Sequence, residues 1–266
     1  MKTLTTLAIT ALTASVGLAQ TVVEVNPTNE AALGFESSGN SGGGSSGIQA
    51  TTLLDGDGAV FIGGDRTRYG LSSDASLGNL ADLNVFNFQW TTTQEGPTVA
   101  TAQAPALRLS VFDFGADATF GTGDDRVISL TWEDGEQSSA DRQFVAGSGS
   151  LNTTYEGDFF GSSASRVYAF TSGFGRGIFD AGGNLIAGSN SAQDLSSLIS
   201  FINPGAIVFG FNVGVGSSVG NYEGFADRIT LGFAGSEATT YNFVIPTPAG
   251  AAAFGVFGLA ASRRRR

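Results

Sequence analysis

The chain contains no cysteine and no histidine, and its only lysine is Lys2. Without cysteine no disulfide can staple the fold, and no thiolate is available as nucleophile or soft-metal ligand. Without histidine, imidazole general bases and nearly all zinc, copper and haem sites are excluded, and neither a Ser-His-Asp nor a Cys-His nucleophile can be assembled. The commonest hydrolase designs are therefore ruled out by composition. Basic residues are scarce as well: thirteen stand against twenty-four acidic ones, a formal charge of −11. Nucleic acid and anionic surfaces need basic patches to bind, so no nucleic-acid partner is expected; polycations and divalent metals suit this charge better.

Of the 266 residues, 39 are glycine and 21 phenylalanine. That length holds one large β domain or two small ones, and the composition favours many short strands joined by tight turns. Met1–Ala19 has a basic second residue, an apolar stretch of Leu, Ala and Ile, and small residues at Gly17 and Ala19. It reads as a secretory signal helix cleaved after Ala19 by signal peptidase. Residues 20–244 are the expected body. Val22–Val25 begins it as a strand, and the Ser/Gly/Asn run Ser37–Gly47 reads as a flexible surface loop.

Period-two alternation starts in earnest with Phe86, Phe88 and Trp90 against Asn87 and Gln89. It recurs in Leu107, Leu109 and Val111; in Ile128, Leu130 and Trp132; in Tyr168 and Phe170; in Ile207, Phe209, Phe211 and Val213; and in Ile229, Leu231, Tyr241 and Phe243. Strands with one buried face, separated by Gly/Asp/Ser turns, argue for an all-β antiparallel sandwich of jelly-roll or concanavalin-like type. One short helix is expected near 194–202, where Leu195, Leu198, Ile199 and Ile202 share a helical face, Asp194 or Ser191 caps it, and Asn203-Pro204-Gly205 stops it.

The candidate metal site is the stretch Asp113–Asp125, whose Asp113, Asp117, Asp124 and Asp125 lie among glycines. Calcium takes several oxygen ligands, and it is the one cofactor this pattern admits, although the spacing departs from an EF-hand loop. An acidic hairpin turn between strands Leu107–Phe112 and Arg126–Trp132 explains the same residues. Asp55-Gly56-Asp57-Gly58 reads as a tight turn. Glu133, Asp134 and Glu136 beside Trp132 have the residue types of a glycosidase cleft, which needs only two carboxylates, and also those of a solvated loop. Trp90, Trp132, Tyr155 and Tyr222 are either core or, if exposed, a sugar-stacking platform.

After the last alternating strand come Pro246-Thr247-Pro248, an apolar run Ala249–Ala261, Ser262 and four arginines, Arg263, Arg264, Arg265 and Arg266. Thirteen helical residues reach only about 20 Å, short of the roughly 30 Å hydrocarbon core, which suits transient inner-membrane insertion better than a permanent transmembrane helix. Arginines after an apolar run place that end in the cytoplasm and the body outside. The order of these pieces over 245–266 resembles the PEP-CTERM sorting signal of Gram-negative envelopes, with Pro-Thr-Pro in place of Pro-Glu-Pro. The hairpin Asp227–Phe233 and Thr239–Phe243 resembles the last one of lectin-like bodies that carry such signals. The resemblance implies that an exosortase-type transpeptidase recognises Pro246-Thr247-Pro248 and removes the hydrophobic, basic remainder. Loss of Lys2 and the four terminal arginines leaves eight arginines against twenty-four acidic residues, about −16.

The expectation is an exported, non-enzymatic protein of the Gram-negative cell surface or extracellular matrix, associated with exopolysaccharide. A carbohydrate-binding module and a two-carboxylate glycoside-active enzyme on a jelly roll are the alternatives.

Overall fold

The structure is a computed structural model that describes residues 20–95, 104–137, 142–144, 150–160, 166–188, 192–216 and 220–246. The signal segment with Ala19, and the tail from Thr247 and Pro248 to Arg263–Arg266, lie outside the described residues. Among the described residues no helix is long and apolar enough to cross a membrane.

Strand is the dominant structure among the described residues. The strands are β1 (Thr21–Val25), β2 (Phe35–Ser41), β3 (Ser45–Gln49), β4 (Ala59–Gly64), β5 (Arg66–Ser72), β6 (Gly78–Asn79), β7 (Leu83–Gln94), β8 (Ala106–Asp113) and β9 (Arg126–Trp132). They continue as β10 (Tyr155–Asp158), β11 (Arg166–Thr171), β12 (Gly175–Arg176), β13 (Ile178–Phe179), β14 (Leu185–Ala187) and β15 (Gln193–Asp194), then, after α1 (Leu195–Ile199), β16 (Ile207–Val215), β17 (Tyr222–Phe233) and β18 (Thr239–Phe243).

Two large sheets share one core. The front sheet has seven strands: β10, β7 and β17 run in order, and the far edge of β17 is divided between β4–β3 and β18–β1. The back sheet has nine, in the order β12-β11-β9-β8-β16-β5-β2, with β15 on β11 and β6 on β16. Pairing is antiparallel except that β1 lies parallel to β18. If β4, β5, β7, β8, β9, β10, β16 and β17 are numbered one to eight, the front layer reads first-eighth-third-sixth and the back layer second-seventh-fourth-fifth.

The inward positions of the alternating strands make the core. Phe86, Phe88 and Trp90 of β7 face Phe211 and Trp132 of the back sheet, with Phe88 edge-on to Trp132 at 5.8 Å and Phe86 edge-on to Phe211 at 6.1 Å. Each such aromatic pair adds about 0.5–1.5 kcal/mol beyond the area it buries. The expected helix is present but shorter than its pattern. α1 holds five residues, buries Leu195 and Leu198, and has Asp194 at its N-cap position without a side-chain capping bond.

Three expectations change. Ser37–Gly47 is not a loop: its ends belong to β2, paired with β5, and β3, paired with β4. Lack of apolar surface does not prevent backbone pairing at a sheet edge, and small side chains are needed here. A Cβ on Gly44 would lie 1.9 Å from the Arg66 carbonyl oxygen. Hydroxyls of Ser46 and Thr67 and the Asn40 carbonyl then link the two sheets at this corner. The second change is in β11, where Val167 and Ala169 join the core cluster, Phe170 is exposed, and Tyr168, buried at 8 %, lies outside that cluster with its hydroxyl on Glu133. The third is a bulge at Phe209 that switches the face of β16, so Val208, Phe211 and Val213 are buried while Ile207 is not.

Candidate functional site

The outward side chains of the front sheet build a groove of about 300 Å³. Register alignment produces it. Asp158 of β10 stands opposite Asn87 of β7, Asn87 opposite Thr230 of β17, Thr230 opposite Thr240 of β18, and Thr240 opposite Val22 of β1. A second row starts with Glu156 opposite Gln89 and ends with Asn242 opposite Glu24. Because side chains alternate across a strand, the residues that bury Phe86, Phe88 and Trp90 necessarily present Asn87 and Gln89 outward.

Hydrogen bonds fix much of this surface. Thr230 Oγ1 and Thr240 Oγ1 lie 2.7 Å apart, and the Gln20 amide reaches Thr240. The Asn242 amide donates to Asp57 at 3.1 Å, and Asp158 Oδ1 accepts the Phe160 N–H at 2.7 Å. Gln143 clamps the Glu156 backbone, accepting its N–H and donating to its carbonyl. The carbonyl oxygens of the Gln89 and Asn242 side chains are left buried without a partner among the described residues. The groove itself is lined by carboxylates (Glu156, Asp158), side-chain amides (Gln20, Asn87, Gln89, Asn242), the Thr230 and Thr240 hydroxyls and Arg228, a polar lining suited to a hydroxyl-bearing ligand.

Beneath the groove, β17 changes neighbours from β4 to β18 at Asp227 and Arg228, where the ladder slips and Arg228 adopts φ 49°. Asp227 is fully buried, and its Oδ1 accepts the N–H groups of Phe243 (2.9 Å) and Arg228 (2.7 Å). Burial, with a further push from Asp57 and Asp55, raises its carboxyl to about 7. It points at backbone and does not line the groove. Arg228 leaves the seam to pair with Asp55, and the Asp57 carbonyl accepts the Ile245 N–H at 2.7 Å. The Asp55–Gly58 turn is therefore a turn, as its sequence indicates, and a latch on the final strand as well.

The residues singled out in the sequence lie elsewhere. Trp90, Trp132 and Tyr222 are in the core, and Tyr155 packs on Trp90 at 4.7 Å, so they form no sugar-stacking surface. Asp134 is buried and accepts the N–H groups of Gln143 and Phe144, both at 2.9 Å, and Glu133 accepts the Tyr168 hydroxyl at 2.6 Å. Both carboxylates hold the loop after β9 to its neighbours.

The four loop aspartates are engaged with their own loop, and Asp117, Asp124 and Asp125 all accept hydrogen bonds from Thr122. Asp113 is buried, pairs with Arg126, and accepts N–H groups from Gly115 and Asn203. Asp124 accepts from Ala116 and from the Thr122 hydroxyl, which holds its carboxyl below the usual range; the hydroxyl contributes most. Asp125 accepts from Gly121 and Thr122, and Asp117 from Thr119. Among the described residues no three carboxylates stand together as a metal cage around Asp113, Asp117, Asp124 and Asp125.

The groove residues escaped sequence reading except for Asn87 and Gln89, whose alternation was visible. Glu156, Asp158, Thr230, Thr240 and Asn242 come from three further strands, and only strand order brings them together. No protein family, curated protein or solved structure matches the chain.

Proposed function

We propose that the chain is an exported, non-enzymatic protein of the Gram-negative cell surface or extracellular matrix whose body binds exopolysaccharide in the front-sheet groove. The observation that carries the reading is the lining of amides, hydroxyls and carboxylates from Asn87, Gln89, Asn242, Thr230, Glu156 and Asp158, since a sugar chain is a dense array of hydroxyl groups. A jelly-roll sandwich is the finer fold reading. It is supported by the first-eighth-third-sixth and second-seventh-fourth-fifth strand orders, the pattern of two interleaved Greek keys.

Two-carboxylate glycoside chemistry needs carboxyls about 5–10 Å apart on opposite sides of the scissile bond. Glu156 and Asp158 stand two residues apart on one strand, along the same side of the groove. Glu24, in the row of Asn242, is four strands away from Glu156, about 19 Å at ordinary strand spacing. That layout favours binding over hydrolysis.

Delivery is assigned to the two terminal signals, with signal peptidase acting after Ala19 and an exosortase-type transpeptidase at Pro246-Thr247-Pro248 after transient insertion of 249–261. Support comes from the short distance to the body: β18 ends at Phe243, Ile245 is still hydrogen-bonded to Asp57, and Pro246 is exposed.

Retention on immobilised exopolysaccharide from an exosortase-bearing bacterium tests the groove. Asn87→Ala and Asn242→Ala should each weaken retention about three- to tenfold, the worth of one or two hydrogen bonds. Retention unchanged in the double variant would sink the binding claim. For sorting, Pro246→Ala with Pro248→Ala should leave the C-terminus uncut in cells; normal processing would refute it.

A further inference from the structure

The outer face of the back sheet carries a second surface, built from different residues. Its cross-strand rows follow from register. One row places Tyr168, Thr131, Arg108, Asn212, Gly70 and Glu36 across β11, β9, β8, β16, β5 and β2. The next row is a floor of small residues, Ser129, Ser110, Gly210 and Ser72, ending at Phe170 on β11. Beyond it stand Val127, Phe112 and Ile207, with the Phe120 ring 5.4 Å from that of Phe112. The outcome is a shallow trough across five strands, about 19 Å long at ordinary strand spacing. One wall is cationic and the other apolar; Phe120 (76 % exposed) and Phe170 (46 % exposed) stand at its rim.

The cationic wall is the unusual part. Arg68 of β5 lies opposite Gly214, whose missing side chain leaves room for the arginine stem; a Cβ there would come 3.1 Å from Arg68 Cγ. Arg108 is only 6 % exposed, and its nearest acceptor is Asn212 Oδ1 at 3.5 Å. Arg68 Nε is buried without a partner among the described residues, and within that set neither guanidinium is within ion-pairing distance of a carboxylate. Glu133, on the same face, is bonded to the Tyr168 hydroxyl, and Glu36 is exposed at the far edge. The internal segments outside the described residues contain one carboxylate, Asp141. Burial and the neighbouring charges of Arg108 and Arg66 depress the Arg68 pKa, so the Arg68 charge is held there at a cost. In a chain of net charge −11, Arg68 and Arg108, two strands apart on one face and with no carboxylate at ion-pairing distance among the described residues, form a site whose missing component is an anion.

We propose that this trough binds an acidic polysaccharide, with a carboxylate or sulfate group of the glycan held between Arg68 and Arg108 and sugar rings laid along the serine floor against Phe170 and Phe120. Hydroxyls meet Ser129, Ser110 and Ser72, and the C–H faces of the sugars meet the phenyl rings. The site shares no residue with the front groove and stands whether or not that groove binds sugar.

Binding of the purified full chain to polygalacturonate, with dextran as neutral control, tests the proposal by calorimetry at two salt concentrations. Polygalacturonate should bind, dextran should not displace it, and affinity should fall with salt. Arg68→Gln and Arg108→Gln should each reduce affinity at least tenfold while the Tm of the unliganded protein stays the same or rises, because no ion pair is lost. If Arg108→Gln does not fold, Arg68→Gln, at the less buried of the two positions, still decides. Glu156→Gln in the front groove should leave uronate binding unchanged. Undiminished binding by the Arg68→Gln variant overturns the proposal, as does equal binding of dextran. Stabilisation by sodium sulfate alone, without polymer binding, would reduce the trough to a site for free oxyanions and overturn the glycan assignment.

Discussion

Asp227 shows how one side chain can make the stability of this fold depend on pH. Its carboxyl is raised to about 7 in the folded protein, against roughly 3.9 for an unfolded chain. Between about pH 4 and pH 7 the folded state therefore holds a proton that the unfolded state has released. Stability falls as pH rises through that window, by up to about 1.4 kcal/mol per unit from this group. Thermal melts should give a higher Tm at pH 5 than at pH 7.5, and Asp227→Asn, which keeps the Oδ1 acceptor, should flatten the difference and raise the Tm at pH 7.5. An unchanged slope in the variant would refute the assignment. Asp113 illustrates the opposite case, a buried carboxylate fully paired with Arg126 and two N–H groups. Asp113→Ala strands the arginine and should cost about 3–5 kcal/mol by chemical denaturation. Exposed Asp117→Ala should cost no more than about 0.5 kcal/mol. Millimolar calcium should leave the Tm of both unchanged; a calcium-dependent rise abolished by Asp117→Ala would show that the loop gathers around the ion after all.

At the scale of the element, β10 and β17 decide whether the front groove exists. β10 is only four residues long, and its inward residue is Gly157, where a Cβ would lie 2.1 Å from the Phe88 ring and 2.8 Å from Trp132. The glycine lets β10 approach β7 closely enough to set Glu156 and Asp158 beside Gln89 and Asn87. Gly157→Val should destabilise the protein by about 1–3 kcal/mol through overpacking and weaken exopolysaccharide retention as well. Unchanged stability would mean that β10 is not packed as described. Sequence made β7, β8 and β9 legible because strict alternation has one physical solution, a half-buried strand. It failed for β2 and β3, whose pairing is a backbone matter to which serine and glycine side chains give no signal. The faces of β11 and β16 were misread for a different reason. Tyr168 and Phe170 are apolar enough to suggest core, but the smaller Val167 and Ala169 fit the packed interior, and the Phe209 bulge inverts the register within β16.

At the scale of the whole molecule, the described body is closed by its first and last strands. β1 lies parallel to β18, the Thr21 N–H bonds to the Ala238 carbonyl, and the Val244 N–H bonds to the Val25 carbonyl. Neither end strand can be removed without exposing the edge of the other. Residues 20–246 alone should unfold in one cooperative transition near the Tm of the full chain, whereas ending the chain at 238 should remove β18, unpair β1 and lower the Tm by about 4–8 °C or more, on the order of a loss of 2 kcal/mol or more. Equal melting of the two would show that the terminal pair does not close the fold. The surface is divided by sheet, with a polar groove in front and an arginine-bearing trough behind, and net charge does not reveal that division.

Composition alone determined which chemistries are excluded, because a missing residue type is missing in any fold. Alternation determined that the chain is β, and the order of tail pieces determined the expectation of export and sorting, because these are local patterns along the chain. Only the tertiary structure decided which strands are neighbours. Asp158, Asn87, Thr230 and Thr240 form one row, and Arg68 and Arg108 come to one face on either side of β16, opposite Gly214 and Asn212, by strand order and register between segments far apart in sequence. A one-residue shift of register would turn each of these side chains to the opposite face of its sheet.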